Sequence, residues 1–253
     1  MKAIFVAGLL AQLTSAHYIF GHLWVNGTRS DKWQYVRDVA PNPMSADPAR
    51  ADDAKTYPNK DIKSPQTTCG LNAFKSAKST QTATVLAGAE VGFEPVEVWA
   101  GGTEIYHWGP ASAWLSRAPG DDVEGYEGLG DWFKVAYMGP SDNVTWSTLN
   151  KKGPYNFTIP KTTPPGKYLL RFEHLRPYSI QNVVEVYANC AHVNIVGPGG
   201  GTPSKFARFP GTYDWNDPGI LIKPEWDYNL YIPGVERGGL LNYPPPGPPV
   251  WTG

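Results

Sequence analysis

The sequence has few of the residues that build thiolate metal sites or nucleic-acid surfaces. Two cysteines occur among 253 residues, too few and too far apart for a thiolate site, which groups several sulfur ligands at short spacing. Charged residues make up 18% of the chain and the net charge is −1, which argues against the basic surface of a nucleic-acid-binding domain. After the first sixteen residues, no apolar run is long enough to span a membrane. The composition therefore favours an uncharged or weakly charged partner.

The first sixteen residues have the pattern of a cleaved secretory signal peptide. Lys2 supplies a positive charge, an apolar run extends from Ala3 to Leu13, and small residues end the segment at Ala16. The alternative, a buried strand of the fold, does not explain why the charge and the small residues stand where signal peptidase reads them. We therefore expect a secreted, extracellular protein whose mature chain begins at His17.

The rest of the chain has the pattern of an all-β protein. Short alternating or β-branched segments are separated by turn residues, and scarcely any stretch shows a helical apolar period. This pattern predicts an antiparallel β-sandwich of the immunoglobulin or fibronectin type, in one domain of residues 17–234 with long surface loops. We expect residues 40–65 to form such a loop and residues 235–253 to form a Pro- and Gly-rich tail whose last dozen residues are mobile. The predicted strands are Tyr18–Val25, Thr80–Ala87 turning at Gly88 into Glu90–Glu94, Trp132–Met138, Tyr155–Ile159, Lys167–Glu173 and Val183–Val196.

Two features suit an oxidising compartment. Cys69 and Cys190 most simply form one disulfide there. By the chain-entropy model, a bridge that closes so long a loop contributes about 4–5 kcal/mol of stability. Asn26, Asn143 and Asn156 each begin an Asn-x-Ser/Thr triplet and are candidate glycosylation sites.

Histidine is scarce, with five in the chain, and one of the five, His17, lies at the predicted mature terminus. An amino-terminal histidine can chelate a metal through its α-amino nitrogen and its ring nitrogen, and a second imidazole completes a T-shaped set of three nitrogens. Planar nitrogen sets of this kind suit Cu(II), which heads the divalent affinity series. On these residues alone, an incidental terminal histidine remains the alternative.

A series of short motifs, taken in their order along the chain, resembles a known family and decides between these alternatives. They are Trp33-Gln34-Tyr35-Val36-Arg37, Ser64-Pro65 ahead of Cys69, Thr82-Ala83-Thr84-Val85, His107-Trp108-Gly109-Pro110, Phe157-Thr158-Ile159-Pro160, Tyr168-Leu169-Leu170-Arg171-Phe172-Glu173, Tyr187 with Cys190, and Asp217-Pro218-Gly219-Ile220-Leu221. From His17 to about Gly234, the chain resembles the fungal lytic polysaccharide monooxygenases of auxiliary activity family nine, formerly glycoside hydrolase family sixty-one.

The resemblance implies one copper ion per chain. Carried over to this sequence, the resemblance implies that His17 and His107 bind the copper and that Tyr187 is the axial group. It also implies that Cys69 and Cys190 form a disulfide. Glu185 and Tyr187 are two residues apart on a predicted strand and therefore share one face. We expect Val184, Val186 and Cys190 to point to the other face and into the core. The alternative for Tyr187 is an ordinary half-buried strand tyrosine.

Two positions depart from the family pattern. Glu185 stands where the family usually has glutamine, and a carboxylate close to copper would favour the oxidised metal and could transfer a proton. It could equally accept a hydrogen bond without doing chemistry. The family's peroxide-positioning histidine has no counterpart, because Tyr178 falls at its spacing and His174 is expected to face elsewhere. An alternative function is therefore a secreted copper- or polysaccharide-binding sandwich that kept the histidine pair and lost turnover.

For an active enzyme, the resemblance implies oxidative cleavage of glycosidic bonds in plant cell-wall polysaccharide, either cellulose or associated hemicellulose. Peroxide or dioxygen and an external electron donor would take part. Candidate residues for stacking on sugar rings are Tyr213, Trp226 and Tyr231. A plain hydrolase would need two carboxyl groups roughly 5–10 Å apart in a cleft, whereas the acidic residues within 121–127 lie in a Gly-rich run typical of a solvated loop. We expect a monomer with no nucleic-acid or membrane partner.

Overall fold

A computed structural model of the chain describes residues 17–42, 51–97 and 103–253. The predicted signal peptide lies outside these ranges. The strands are β1 Phe20–Val25, β2 Thr28–Arg29, β3 Ala83–Leu86, β4 Glu90–Pro95, β5 Ala111–Arg117, β6 Phe133–Met138, β7 Tyr155–Thr158, β8 Gly166–Pro177 and β9 Val184–Val196. One α-helix, α1, spans Ala51–Lys55, and short 3-10 helices span Pro65–Thr67, Ala73–Ser79, Pro119–Asp121, Pro224–Trp226 and Leu240–Asn242. No helix within the described ranges is long and apolar enough to cross a membrane.

Two sheets form the predicted β-sandwich, which the structure confirms. One sheet has the strand order β2-β1-β4-β7 and the other has the order β3-β9-β8-β5-β6. The pairs are antiparallel except for β3, which runs parallel to β9. Gly88, at φ 94°, does not close a hairpin between β3 and β4, because these strands lie in different sheets. The left-handed backbone available to glycine instead turns the chain from one sheet to the other.

The predicted strands are found with shifted ends, and two strands were not predicted. The short β2 pairs with the end of β1, and β5 lies between β6 and β8. β8 also extends to Pro177, four residues beyond the predicted end at Glu173. Pro177 ends the strand, which is consistent with proline lacking the N–H that a strand interior donates.

The longest ladder in the structure joins β8 to β9. Its antiparallel register runs from Gly166 opposite Ile195 to Pro177 opposite Val184. This register places His174 opposite Tyr187 and Arg176 opposite Glu185. Because opposed residues in an antiparallel pair share a face, these four side chains lie on one side of the sheet.

The apolar interior is divided into two main clusters. Tyr187 belongs to the cluster between the two sheets, which also contains Phe93 and Phe172. The opposite face of β9, with Val184, Val186 and Cys190, packs into a second cluster around Trp114 and Trp132. The expectation that Val184, Val186 and Cys190 point into the core is therefore confirmed. Tyr187 on the opposite face is buried as well, because one face of β9 is covered by the facing sheet and the other by loops.

The segment after β2 is bound to the edge of the sandwich. The predicted disulfide joins Cys69 to Cys190 of β9, with a Cα–Cα distance of 5.0 Å. Asn59 and Val186 exchange backbone hydrogen bonds of 3.0 and 2.8 Å. The predicted loop of residues 40–65 thus contains a short helix and lies against β9, and residues 43–50 fall outside the described ranges.

The prediction that the last dozen residues form a mobile tail is wrong. Leu240 and Tyr243 are buried and pack in a small cluster with Trp146 and Trp226. The backbone N–H of Trp251 donates to the carbonyl of Lys134 at 2.8 Å. Aromatic and aliphatic residues within the Pro- and Gly-rich segment therefore anchor it to the sandwich.

A matched pair of leucine variants tests this packing. Leu240 is fully buried and Leu241 is 59% exposed. Because truncating a buried leucine removes apolar contacts and leaves a cavity, we expect Leu240→Ala to lower the free energy of unfolding by about 2–5 kcal/mol. Leu241→Ala should change it by about 0.5 kcal/mol or less. Urea unfolding measures both values, and equal small effects would show that the segment is not packed.

Candidate metal centre

The predicted metal ligands converge at one end of the sandwich. The ring centroids of His17, just before β1, and His107, between β4 and β5, are 6.0 Å apart with an interplanar angle of 70°. The ring of Tyr187 lies 6.3 Å from the first and 5.9 Å from the second. Donor atoms of the two histidines and Glu185 all lie within 4.8 Å of one another. The structure therefore brings together all four residues predicted for the centre.

The chain that carries His107 is held against β8 by close backbone contacts. Leu175 donates its N–H to the carbonyl of Pro110 at 3.0 Å. Gly109 has φ 152°, and a Cβ atom there would lie 1.8 Å from the carbonyl oxygen of Leu175. Only glycine permits so close an approach, which explains the glycine two residues after the histidine.

Tyr57 stacks on the His17 imidazole with a centroid distance of 5.0 Å and an interplanar angle of 16°. This tyrosine comes from the segment after α1 and is 40% exposed. Desolvation by burial lowers the pKa of His17 below its usual value, although Glu185 acts in the opposite direction. The imidazole is therefore neutral near pH 7, the form that binds a metal.

Glu185 lies at the centre of a hydrogen-bond network beside the two histidines. Its Oε2 accepts from the Tyr187 hydroxyl at 2.8 Å and from Nη1 of Arg176 at 3.0 Å. That oxygen is 3.8 Å from Nε2 of His107. Burial alone would raise the pKa of Glu185, but the charge and hydrogen bond of Arg176 and the Tyr187 hydrogen bond together lower it. Glu185 is therefore a buried, ionised carboxylate.

Arg176 is a residue of the site that the sequence analysis missed. Its Nη1 lies 3.4 Å from Nε2 of His107. Because a guanidinium has no acceptor, that ring nitrogen is the acceptor in this contact. Nε of Arg176 donates to Oδ1 of Asn229 at 2.8 Å, and the guanidinium lies over the ring of Tyr178. Extending the predicted strand past Glu173 would have revealed it, since Arg176 then follows His174 at a spacing of two.

His174 and Tyr178 do not present an imidazole to the open side of the centre. The His174 ring is fully buried, and its Nε2 donates to the carbonyl of Gly109 at 3.2 Å. Its Nδ1 therefore accepts from the Tyr18 hydroxyl at 2.6 Å. Burial lowers the pKa of His174 to about 3, so the ring stays neutral. The prediction that His174 faces elsewhere is wrong for the sheet, because the ring lies on the same face as Tyr187 with a centroid distance of 6.1 Å; it is burial that keeps this imidazole from the open side.

Two of the three residues predicted to stack on sugar rings are unsuitable. Tyr213 is 2% exposed and its hydroxyl donates to the buried Glu173 carboxylate, while Trp226 is 5% exposed. Neither ring can lie against an extended polysaccharide, so these two predictions are wrong. Tyr231 is 90% exposed and remains a candidate. The sequence marked all three as aromatic residues in irregular chain but could not tell which way their rings turn.

Two other aromatic residues near the centre form a stacked pair. The rings of Trp108 and Tyr228 are 4.4 Å apart with an interplanar angle of 13°. Trp108 directly follows His107, and both rings are partly exposed. The pair packs against the small cluster that contains Trp146 and Trp226.

The candidate glycosylation sites Asn26, Asn143 and Asn156 are all exposed. Exposure is needed for a glycan at these positions. The occupancy of each site stays a prediction.

Comparisons with known proteins agree with this geometry. A model of Auxiliary Activity family 9 (formerly GH61) matches residues 17–231. The chain belongs to Auxiliary Activity family 9. It is 48% identical to AA9 family lytic polysaccharide monooxygenase U of Thermothielavioides terrestris, over 99% of this chain and 98% of that protein. It is 36% identical to AA9 family lytic polysaccharide monooxygenase C of Emericella nidulans, again over 99% and 98%.

Solved structures show the same fold. The crystal structure of HiLPMO9B superimposes with a TM-score of 0.69 at 22% identity, covering 94% of this chain and all of the other. CvAA9A gives a TM-score of 0.67 at 26% identity, covering 93% and 98%. The resemblance noted in the sequence is thus confirmed, and the chain is an AA9 enzyme, a member of a family of copper-dependent oxidoreductases that cleave polysaccharides oxidatively.

The residues of the AA9 site fit a copper ion. Two imidazoles lie within reach of one metal position, and the Tyr187 ring lies near both. Nitrogen donors of this kind suit Cu(II).

Copper binding to variants tests this assignment. In protein that begins at His17, we expect His107→Ala to weaken Cu(II) binding by at least about a hundredfold, because it removes one of the nitrogen ligands. His22→Gln is the matched control, since Nδ1 of His22 is bonded to the carbonyl of Ser30 at 3.0 Å and lies outside the ligand cluster. Isothermal titration calorimetry measures both affinities. Equal affinities in the two variants would contradict the assignment.

Proposed function

We propose that the protein is secreted and that its mature chain, beginning at His17, cleaves glycosidic bonds in cellulose or associated hemicellulose. The reaction would use peroxide or dioxygen together with an external electron donor. The single observation that supports this most strongly is the convergence of His17 and His107 beside Tyr187 in an AA9 chain. The absence of a long apolar helix from the described residues is compatible with secretion.

His17 would hold one copper ion through its ring and its α-amino nitrogen, His107 would bind through Nε2, and the Tyr187 ring would lie beside the ion. An α-amino group has an ordinary pKa of about 7.7–8.0, so metal binding near neutrality must displace its proton. A bound copper ion would supply the oxidising chemistry of the reaction. The protein contributes a fixed pair of imidazoles and an ordered proton acceptor.

That proton acceptor is Oε2 of Glu185. It already accepts a hydrogen bond from the Tyr187 hydroxyl at 2.8 Å and lies 3.8 Å from His107 Nε2. Burial usually disfavours a charged carboxylate, and Arg176 offsets this with a hydrogen bond at 3.0 Å. We assign Glu185 to receiving and returning a proton beside the metal, and Arg176 to holding the carboxylate in place.

The polysaccharide would lie across the exposed aromatic rings around the centre. Tyr57 stacks on His17, and Trp108 of the partly exposed Trp108–Tyr228 pair directly follows His107 in sequence. Tyr231 is only two residues from Asn229, which binds Arg176. Ring faces of this kind pack against the apolar faces of sugars, and their burial under the polymer removes apolar surface from water.

A product assay decides whether the chain is an active monooxygenase. We expect the copper-loaded mature protein, given ascorbate and peroxide, to release oxidised oligosaccharides from cellulose or a cell-wall hemicellulose. Mass spectrometry of the soluble products is the measurement, with His107→Ala as the inactive control. Tight copper binding without oxidised products on any substrate of the panel would instead support a binding protein that lost turnover.

The charge of Glu185 should be visible in the reduction potential of the copper. Glu185→Gln keeps the side-chain shape but removes a negative charge that stabilises Cu(II), so we expect a higher potential. Glu124→Gln, in an exposed loop, is the matched control and should leave the potential unchanged. Redox titration of the two loaded variants gives the comparison. An unchanged potential in Glu185→Gln would argue against an ionised carboxylate at the metal.

A further inference from the structure

A cavity of about 110 Å³ lies beside the metal centre, between the segment around α1 and strand β9. Tyr18 and Tyr187 line its inner side, and Tyr57, which stacks on His17, lies near its exposed side. An engineered cavity of about 150 Å³ is large enough for benzene. The present cavity therefore has room for a few water molecules or one small polar compound.

Two side-chain amides in the cavity wall, those of Asn59 and Asn189, have unused donors. The Nδ2 atoms of both are buried and have no hydrogen-bond partner among the described residues, and both residues line the cavity. Asn189 as a whole is only 2% exposed. A buried donor without a partner carries a substantial desolvation cost, which an acceptor in the cavity would remove.

The orientation of both amides is fixed by their oxygens. Oδ1 of Asn189 accepts the backbone N–H of Phe20 at 3.0 Å. Oδ1 of Asn59 accepts the backbone N–H of Asp61 at 3.1 Å. Exchanging oxygen and nitrogen in either amide would set two donors against each other. Both cavity-lining groups are therefore N–H donors and not acceptors.

The charge around the cavity favours a neutral occupant. Lys55, the lysine in its wall, is bound to both oxygens of Asp38 at 2.7 and 2.9 Å. The amide donors themselves carry no charge. The remaining wall combines apolar residues such as Ile19 and Val39 with uncharged polar ones such as Thr56 and Gln66. A small molecule with oxygen acceptors and no net charge matches these surroundings.

We propose that this cavity is a binding site for a small neutral oxygen compound, water or hydrogen peroxide, held by the Nδ2 donors of Asn59 and Asn189. The occupant lies beside Tyr18 and Tyr187, and Tyr57 also lines the cavity. Binding in the cavity needs no copper and no polysaccharide, so this proposal can fail independently of the proposed function.

High-resolution crystal structures of the Cu(II)-loaded protein without reductant test the proposal. One arm keeps crystals in buffer, and the other soaks them in a series of hydrogen peroxide concentrations. We expect ordered oxygen density within about 2.7–3.2 Å of both Nδ2 atoms, spherical for water in the first arm. Elongated two-atom density in the second arm would identify peroxide, and unchanged spherical density would identify water as the occupant. No ordered oxygen at either amide in both arms, or a carboxylate anion in its place, would overturn the proposal.

The variant Asn189→Asp tests the role of the amide N–H donor while it keeps the size and shape of the side chain. The variant keeps an oxygen for the Phe20 N–H but replaces the N–H donor with a second oxygen. We expect loss of the density at this position, or, if peroxide binds, at least about a fivefold rise in the concentration for half occupancy. Asn242→Asp, at an exposed asparagine, is the matched control and should change neither. Full occupancy in Asn189→Asp would contradict the role of the amide donor.

Discussion

The antiparallel pairing of β8 with β9 is the constraint on which the metal centre depends. Its register sets Arg176 against Glu185 and His174 against Tyr187, so the order of the groups around the centre is a property of the backbone ladder. The disulfide from Cys69 ends on the same strand, and Asn59 bonds to its outer edge. A slip of one residue between these strands would turn the set to the opposite face.

A buried carboxylate normally carries a large desolvation cost, and here several donors offset it. Glu185 combines an ion pair to Arg176, a hydrogen bond from Tyr187 and a position near Nε2 of His107. Asn229 holds the far side of the same guanidinium. Removing one member of such a network leaves the others without partners, and the energies of its members are not additive. The departure from the family's usual glutamine is therefore matched by a compensating cation rather than standing alone.

The strand pattern, the disulfide and the histidine pair could be predicted from the sequence, because each leaves a local or compositional signal. β5, Ala111–Arg117, lacks the clear alternation of a half-exposed strand since both of its faces are buried. The role of Arg176 depends on which residue lies across the ladder, and the burial of Tyr213 and Trp226 depends on how loops fold over the sheet. These are tertiary properties with no counterpart in a single sequence. The anchored final segment was missed for the same reason, since its apolar residues are scattered among prolines and glycines.

In the proposed function, copper is held by the amino terminus of the mature chain as well as by two imidazoles. The direct measurement is the Cu(II) affinity of the protein beginning at His17, compared with the same protein carrying Ala16 ahead of it. That extension converts the chelating nitrogen into an amide and leaves every side chain of the centre in place. We expect the protein that begins at His17 to bind Cu(II) tightly. The protein that carries Ala16 should bind Cu(II) at least about a hundredfold more weakly. Equal affinities would contradict this proposal, because the two imidazoles alone would then suffice.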